Sequence, residues 1–98
     1  MLPSDRLQPT SDVIAQPSGD HLVLFHMASG NYYSLNELGA RIWELCDGSR
    51  QFSEVINVVE SEYDAPREII LADAQTLAAD LIEKDLLIVG SDDHAVSG

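Results

Sequence analysis

The chain has 98 residues, enough for one domain. A chain of this length buries roughly two-thirds of the surface its unfolded form exposes, so it needs no covalent staple. Seventeen acids against five bases leave a net charge of −12, which repels phosphate backbones and anionic lipid surfaces and sets nucleic-acid and membrane binding aside. The apolar fraction of 45% fits a globular chain rather than a disordered one, and no apolar run approaches the length of a membrane span. The N-terminus lacks a basic segment followed by an apolar stretch, and Cys46 is the sole cysteine. The expectation is a soluble, cytoplasmic protein without an internal disulfide.

In chain order, residues 1–11 carry two prolines and no periodicity and read as a flexible tail, leaving 12–89 as the folded domain and 90–98 as a second flexible tail. Val13–Gln16 is a short strand closed by the turn cluster Pro17-Ser18-Gly19-Asp20. His21–Met27 is the second strand, Ala28-Ser29-Gly30 a turn, and Asn31–Leu35 the third. Loops this short join antiparallel neighbours, which predicts a meander with His21–Met27 in the middle. Helical spacing then takes over. Asn36 stands at an N-cap position, Leu38, Ile42, Trp43 and Leu45 form an apolar face, and Asp47-Gly48 ends the helix. A second helix spans about Phe52 to Tyr63 and a third Pro66 to Lys84, with Pro66 in its first turn and Asp64 as a candidate cap. The apolar residues of the third helix cover an arc of roughly 140°, wider than the ~100° that faces a single core, so this helix is expected to touch a second apolar surface. Leu86–Val89 is a short terminal strand. The fold class is α+β, a three-stranded antiparallel β-meander followed by three α-helices, and it resembles a winged helix-turn-helix.

No arrangement for catalysis is legible: there is no glycine-rich phosphate loop, no metal-ligand spacing and no nucleophile–base pattern. His21 and His26 lie five apart on one strand, on opposite faces. Cys46 lacks the basic surroundings that activate a thiol and reads as buried and inert. Asp73, Asp80 and Glu83 read as a solvated helix face. No cofactor, metal or catalytic residue is expected. What does stand out is an edge. Asn31-Tyr32-Tyr33-Ser34-Leu35 is an outer strand with neither lysine nor proline, the residues that usually guard such edges. Two readings of it are balanced: an extended peptide adds there through main-chain hydrogen bonds, or the edge is covered by Leu86–Val89 or by a dimer mate. The first strand, by contrast, adjoins Pro17 and a tail long enough to cover it.

The run from Gly30 to Gly48, GNYYSLNELGARIWELCDG, followed by Ser53-Glu54-Val55-Ile56, Tyr63-Asp64, Asp73, Leu77, Leu81 and Leu86-Leu87, resembles the PqqD family of precursor-peptide recognition elements over about Val13 to Val89. The resemblance implies a winged-helix-like domain that binds the leader of a ribosomally made precursor peptide as a strand added to Asn31–Leu35, against the third helix. It implies a peptide-binding set of Asn31, Tyr32, Tyr33, Ser34, Leu35, Ile70, Asp73, Ala74 and Leu77, and as partners the precursor peptide and a maturation enzyme such as a leader protease or a radical-SAM enzyme. Two departures stand out. Asp85 occupies the position past the third helix where the family commonly has glycine. The Gly-x-Tyr-Tyr form of the third strand is more like stand-alone recognition proteins of lasso-peptide and related natural-product clusters than like the peptide chaperone of pyrroloquinoline quinone synthesis. The expected function is therefore leader recognition without catalysis in a lasso-peptide or related pathway, with quinone synthesis as the alternative. The strongly negative charge further favours basic leaders. A winged-helix transcription regulator is disfavoured because the third helix offers only Arg67 and Lys84 against four acids. A homodimer through the open edge remains the rival from structural proteins.

Overall fold

The computed structural model describes residues 5–90, in which eight elements follow one another: β1 (Arg6–Pro9), β2 (Val13–Ser18), β3 (His21–His26), β4 (Asn31–Leu35), α1 (Glu37–Leu45), α2 (Phe52–Glu62), α3 (Arg67–Glu83) and β5 (Leu87–Gly90). β2, β3 and β4 form the expected antiparallel meander, in that spatial order. Two residues, Gly19-Asp20, connect β2 to β3, and Gly19 takes φ +63°. A positive φ at the first central residue but not at the second, Asp20, marks a type II′ turn, whose twist suits a two-residue hairpin.

Backbone parity within this sheet follows from two loop bonds. Met27 N–H donates to the Asp12 carbonyl at 2.8 Å, on the β2 side, while the His26 carbonyl accepts from Gly30 N–H at 2.8 Å, on the β4 side. Odd-numbered residues of β3 therefore bond toward β2 and even-numbered ones toward β4, because hydrogen-bonding direction alternates along a strand. With Leu22 opposite Leu35, Leu24 opposite Tyr33 and His26 opposite Asn31, the backbone groups of Asn31, Tyr33 and Leu35 are used within the sheet. Those of Tyr32 and Ser34 point outward. On the opposite edge Pro17 pairs with Leu22, so the missing donor of Pro17 lies on the outer side, where proline is tolerated.

The N-terminal stretch departs from its reading as a loose tail. Arg6–Pro9 is a strand that pairs antiparallel with β5, Leu7 opposite Val89 and Pro9 opposite Leu87. It covers neither edge of the meander. Three further bonds hold this segment: Gly48 N–H to the Leu7 carbonyl at 2.9 Å, Phe52 N–H to the Asp5 carbonyl at 2.8 Å, and Thr10 N–H to the Leu86 carbonyl at 3.1 Å. The second of these satisfies one of the unpaired donors that open α2. Leu7 is 1% exposed. Replacing it by alanine should cost about 2–5 kcal/mol, the usual range for a buried leucine, read as a fall in the thermal midpoint by circular dichroism; a midpoint within a degree or two of wild type would return this segment to the status of a tail. The β1–β5 pairing also removes β5 as a cover for β4. Residues 1–4 and 91–98, which include most of the expected C-terminal tail and His94, lie outside the described residues.

The helices begin and end close to their expected limits. The Asn36 side chain accepts from Gly39 N–H at 2.8 Å and caps α1. The Glu54 carboxylate reaches back to Gln51 N–H at 2.8 Å at the start of α2, a bond not anticipated from sequence. At α3, Pro66 is itself the cap, its carbonyl accepting from Ile69 and Ile70, and Asp64 takes no capping role. At the other end Asp85 takes φ +62°, while Leu86 N–H bonds the Leu81 carbonyl and Asp85 N–H the Ile82 carbonyl. This is a Schellman exit with aspartate at the left-handed position that glycine usually fills.

The core lies between the inner face of the meander and the three helices. Leu22, Leu24 and Leu35 come from the sheet, Ile42 and Trp43 from α1, Val55, Ile56 and Val59 from α2, and Ile70, Ala74, Ala78 and Leu81 from α3. As the offset of five predicts, the two histidines of β3 face opposite ways: His21 is exposed and His26 buried. The Nδ1 atom of His26 accepts from Ser29 N–H at 3.2 Å and its Nε2 lies 3.5 Å from Asp85 Oδ2, tying the β3–β4 hairpin to the exit of α3. Cys46 is buried, and burial, helped by the charge of Asp47, pushes its thiol up to about 12. At pH 8 the native thiol should therefore resist iodoacetamide and react at the rate of a free thiol once urea unfolds the chain, as mass spectrometry of the alkylated protein would read; rapid labelling of the folded protein would contradict the burial.

Candidate functional site

The outer edge of β4 and the flank of α3 enclose an open groove of about 810 Å³. On the sheet side it is lined by His21, Ser34, Leu35 and Asn36, and its floor is Leu38, Gly39 and Ile42 of α1. The facing wall is Asp73, Thr76, Leu77 and Asp80, residues at the three-and-four spacing that puts them on one face of α3. Gly39 lets the floor sit this low: a Cβ there would lie 3.3 Å from the Leu35 Cβ and 3.4 Å from a Leu77 methyl. The wall and the edge run in opposite senses, since Lys84 at the end of α3 lies over the Tyr33 ring at 5.8 Å. Lys84 also donates to Asp80, whose hydrogen bond holds the ammonium above its usual range.

The sequence-predicted residues divide between three places. Ser34, Leu35, Asp73 and Leu77 meet in the groove. Tyr32 belongs to the open edge by its backbone, while its side chain is 70% exposed on the outer face of the sheet and stacks on Phe25 at 4.7 Å between ring centroids. Asn31 stands at the hairpin end and Tyr33 is half-buried beneath Lys84. Ile70 and Ala74 are 1% and 0% exposed and belong to the core, not to the groove wall. The wide apolar arc of α3 is accounted for on this division: Ile70, Ala74, Ala78 and Leu81 face the core, and Leu77 extends the arc to the groove. Sequence reasoning missed Thr76 and Asp80, which share the helix face of Asp73 and Leu77 and were within reach of a helical wheel. It also missed Leu38, Gly39 and Ile42, where the one available signal was a glycine inside an otherwise amphipathic helix.

Among the described residues no group of three or more His, Cys, Asp or Glu side chains is placed to hold a metal ion, and no helix is long and apolar enough to cross a membrane. What the site offers is two outward main-chain donor and acceptor pairs beside an apolar floor with an acidic wall. Such an arrangement can take an extended chain, pairing its backbone along β4 and seating alternate side chains in the groove. The molecule is thus an α+β, winged-helix-like domain in which, among the described residues, the outer edge of β4 pairs with no strand and lies next to a groove.

Residues 21–87 match the family described as Coenzyme PQQ synthesis protein D (PqqD), and the chain belongs to that family. It is similar to the PqqA binding proteins of Bradyrhizobium diazoefficiens, 35% identical over 52 residues (53% of this chain, 50% of that protein), and of Gluconobacter oxydans, 41% identical over 46 residues (47% and 48%). The chain spans about half the length of these curated relatives. Among solved structures it is similar to TbiB1 in complex with the TbiA(beta) leader peptide, with a TM-score of 0.74 and 28% identity over 82% of this chain and 93% of that one. Lasso peptide synthetase B1 complexed with the leader peptide shares the fold, with a TM-score of 0.75 at 22% identity over 85% of this chain and 98% of that one.

Proposed function

We propose that this domain binds the leader of a ribosomally synthesised precursor peptide as a fourth strand on β4 and delivers it to a separate maturation enzyme, catalysing nothing itself. The observation that carries this reading is the pair of outward-facing backbone units at Tyr32 and Ser34, open beside a groove that runs along α3. Main-chain pairing supplies affinity, the apolar floor supplies anchoring, and delivery raises the effective concentration of the modifiable part of the peptide at the enzyme. The partner enzyme is a leader protease or radical-SAM enzyme, and the setting is cytoplasmic, in keeping with the single unpaired thiol. Membranes and nucleic acids are not ligands of so acidic a surface. A lasso-peptide or related pathway is favoured over quinone synthesis because the third strand has the Gly-x-Tyr-Tyr form, Gly30-Asn31-Tyr32-Tyr33.

The test is an amide-shift titration with the leader segment of a candidate precursor peptide. Binding should move the Tyr32 and Ser34 amides first; shifts confined to other surfaces would sink the reading. Sedimentation of the free domain separates the rival, since a dimer held through β4 would dissociate as leader is added. Leu77→Asp should weaken leader binding at least tenfold, because it places a carboxylate on the apolar part of the groove. The fold should survive with a stability loss on the order of 1–2 kcal/mol, since Leu77 is only partly buried. Unchanged affinity in a folded Leu77→Asp protein would move the peptide elsewhere.

A further inference from the structure

The groove wall carries two carboxylates in different situations. Asp80 is already ion-paired with Lys84. Asp73 faces the same groove, and among the described residues its carboxylate makes no hydrogen bond or ion pair. The other titratable group on the lining is His21, on the sheet side. Asp73 therefore has unused capacity at a position that a bound strand would pass. Spacing makes this specific. Four residues of helix separate Asp73 from Leu77, about 6 Å along the axis. Successive side chains on one face of a strand are two residues apart, about 6.6–6.8 Å. A strand that seats an apolar side chain at Leu77, above Leu38 and Ile42, brings its next groove-facing side chain level with Asp73.

We propose that Asp73 selects the peptide: the groove takes an extended segment in which an apolar residue is followed or preceded, two positions away, by lysine or arginine. The reading rests on strand addition at β4 and names the substrate class of that groove. It is narrower than a general preference of an acidic protein for basic peptides, since only a base at this spacing reaches Asp73. An acidic residue there would face an unpaired carboxylate at close range and be rejected. Asp80, with Lys84 attached, makes no such demand on the other side of the anchor. The order of the two residues depends on strand direction: base first for a peptide antiparallel to β4, apolar residue first for a parallel one.

A display library of randomised 12-residue peptides, selected on the full chain, reads the preference without knowledge of the natural ligand. The wild-type pool should be enriched in an apolar residue with Lys or Arg two positions away in one fixed order, and replacing that base by Glu in a recovered peptide should weaken binding at least tenfold. Selection on Asp73→Asn should lose the base at that spacing, whereas Asp64→Asn, which removes the same charge outside the groove, should keep it. Bases enriched at no fixed spacing, or lost equally in both variants, would overturn the assignment to Asp73 in favour of the overall charge. Strand addition would still stand if those peptides shift the Tyr32 and Ser34 amides. Recovered peptides that leave both amides unmoved, or a pool with no enrichment, would overturn strand addition and this proposal together.

Discussion

Ser34→Pro should abolish leader binding while leaving the domain folded, and Tyr33→Pro should do the reverse damage, breaking the sheet itself. The two residues are neighbours on β4, yet their backbones face opposite ways. Tyr33 is opposite Leu24 in a pair whose hydrogen bonds close the meander, while the N–H of Ser34 points away from β3. Proline at position 34 removes a donor that the folded protein does not use, so the stability loss should be on the order of 1 kcal/mol or less, as for changes that break no buried contact. In the complex the same change leaves a leader carbonyl unpaired, worth about 1–3 kcal/mol, and sets a pyrrolidine ring against the incoming strand. A loss of at least tenfold in affinity by calorimetry is expected, with Ser34→Ala near wild type because it keeps the N–H. Wild-type affinity in Ser34→Pro would rule out pairing along this edge. A folded, sheet-containing Tyr33→Pro protein would show that the backbone parity is wrong.

The contrast between these neighbours shows what was legible in the sequence and what was not. Alternation, turn residues and helical periodicity located the meander and the three helices to within a few residues, because each signal is local. The β1 strand was not legible. Arg6-Leu7-Gln8-Pro9 is short, ends in proline and has no alternating run; it becomes a strand only because β5, about eighty residues along the chain, offers it a partner. Non-local pairing of this kind leaves almost no local trace. The groove was half legible. The unguarded edge and the over-wide arc of α3 came from pattern, and Asp73 and Leu77 as groove residues from the family resemblance. Ile70 and Ala74 were assigned to the wrong side of α3, since a helical wheel gives the width of an apolar arc but not the direction from which the core approaches. Which way Tyr32 and Ser34 face needed the register of β3, fixed by the Gly19-Asp20 turn and the bonds at Met27 and Gly30.

Trp43→Ala should lose peptide binding by a different route. Trp43 is 7% exposed in the core cluster, on the inner side of α1, and it does not line the groove. Truncating a buried tryptophan costs about 3–5 kcal/mol, set against the 5–15 kcal/mol that holds a typical domain together. The thermal midpoint should fall by roughly 12–40 °C, at the 4–8 °C per kcal/mol expected for a domain of this size. The loss has to be followed by circular dichroism, because Trp43 is the only tryptophan. Below the lowered midpoint the groove is intact, so the folded fraction should bind leader with wild-type affinity, and Trp43→Phe should recover much of the stability. The distinction from Ser34→Pro is then measurable on one titration at two temperatures. In Ser34→Pro affinity is lost at both, whereas in Trp43→Ala it is lost only where the chain unfolds. An affinity defect in Trp43→Ala at 5 °C, with the far-ultraviolet spectrum unchanged, would mean that Trp43 shapes the groove through Ile42 and Gly39 and that core and site are coupled across α1.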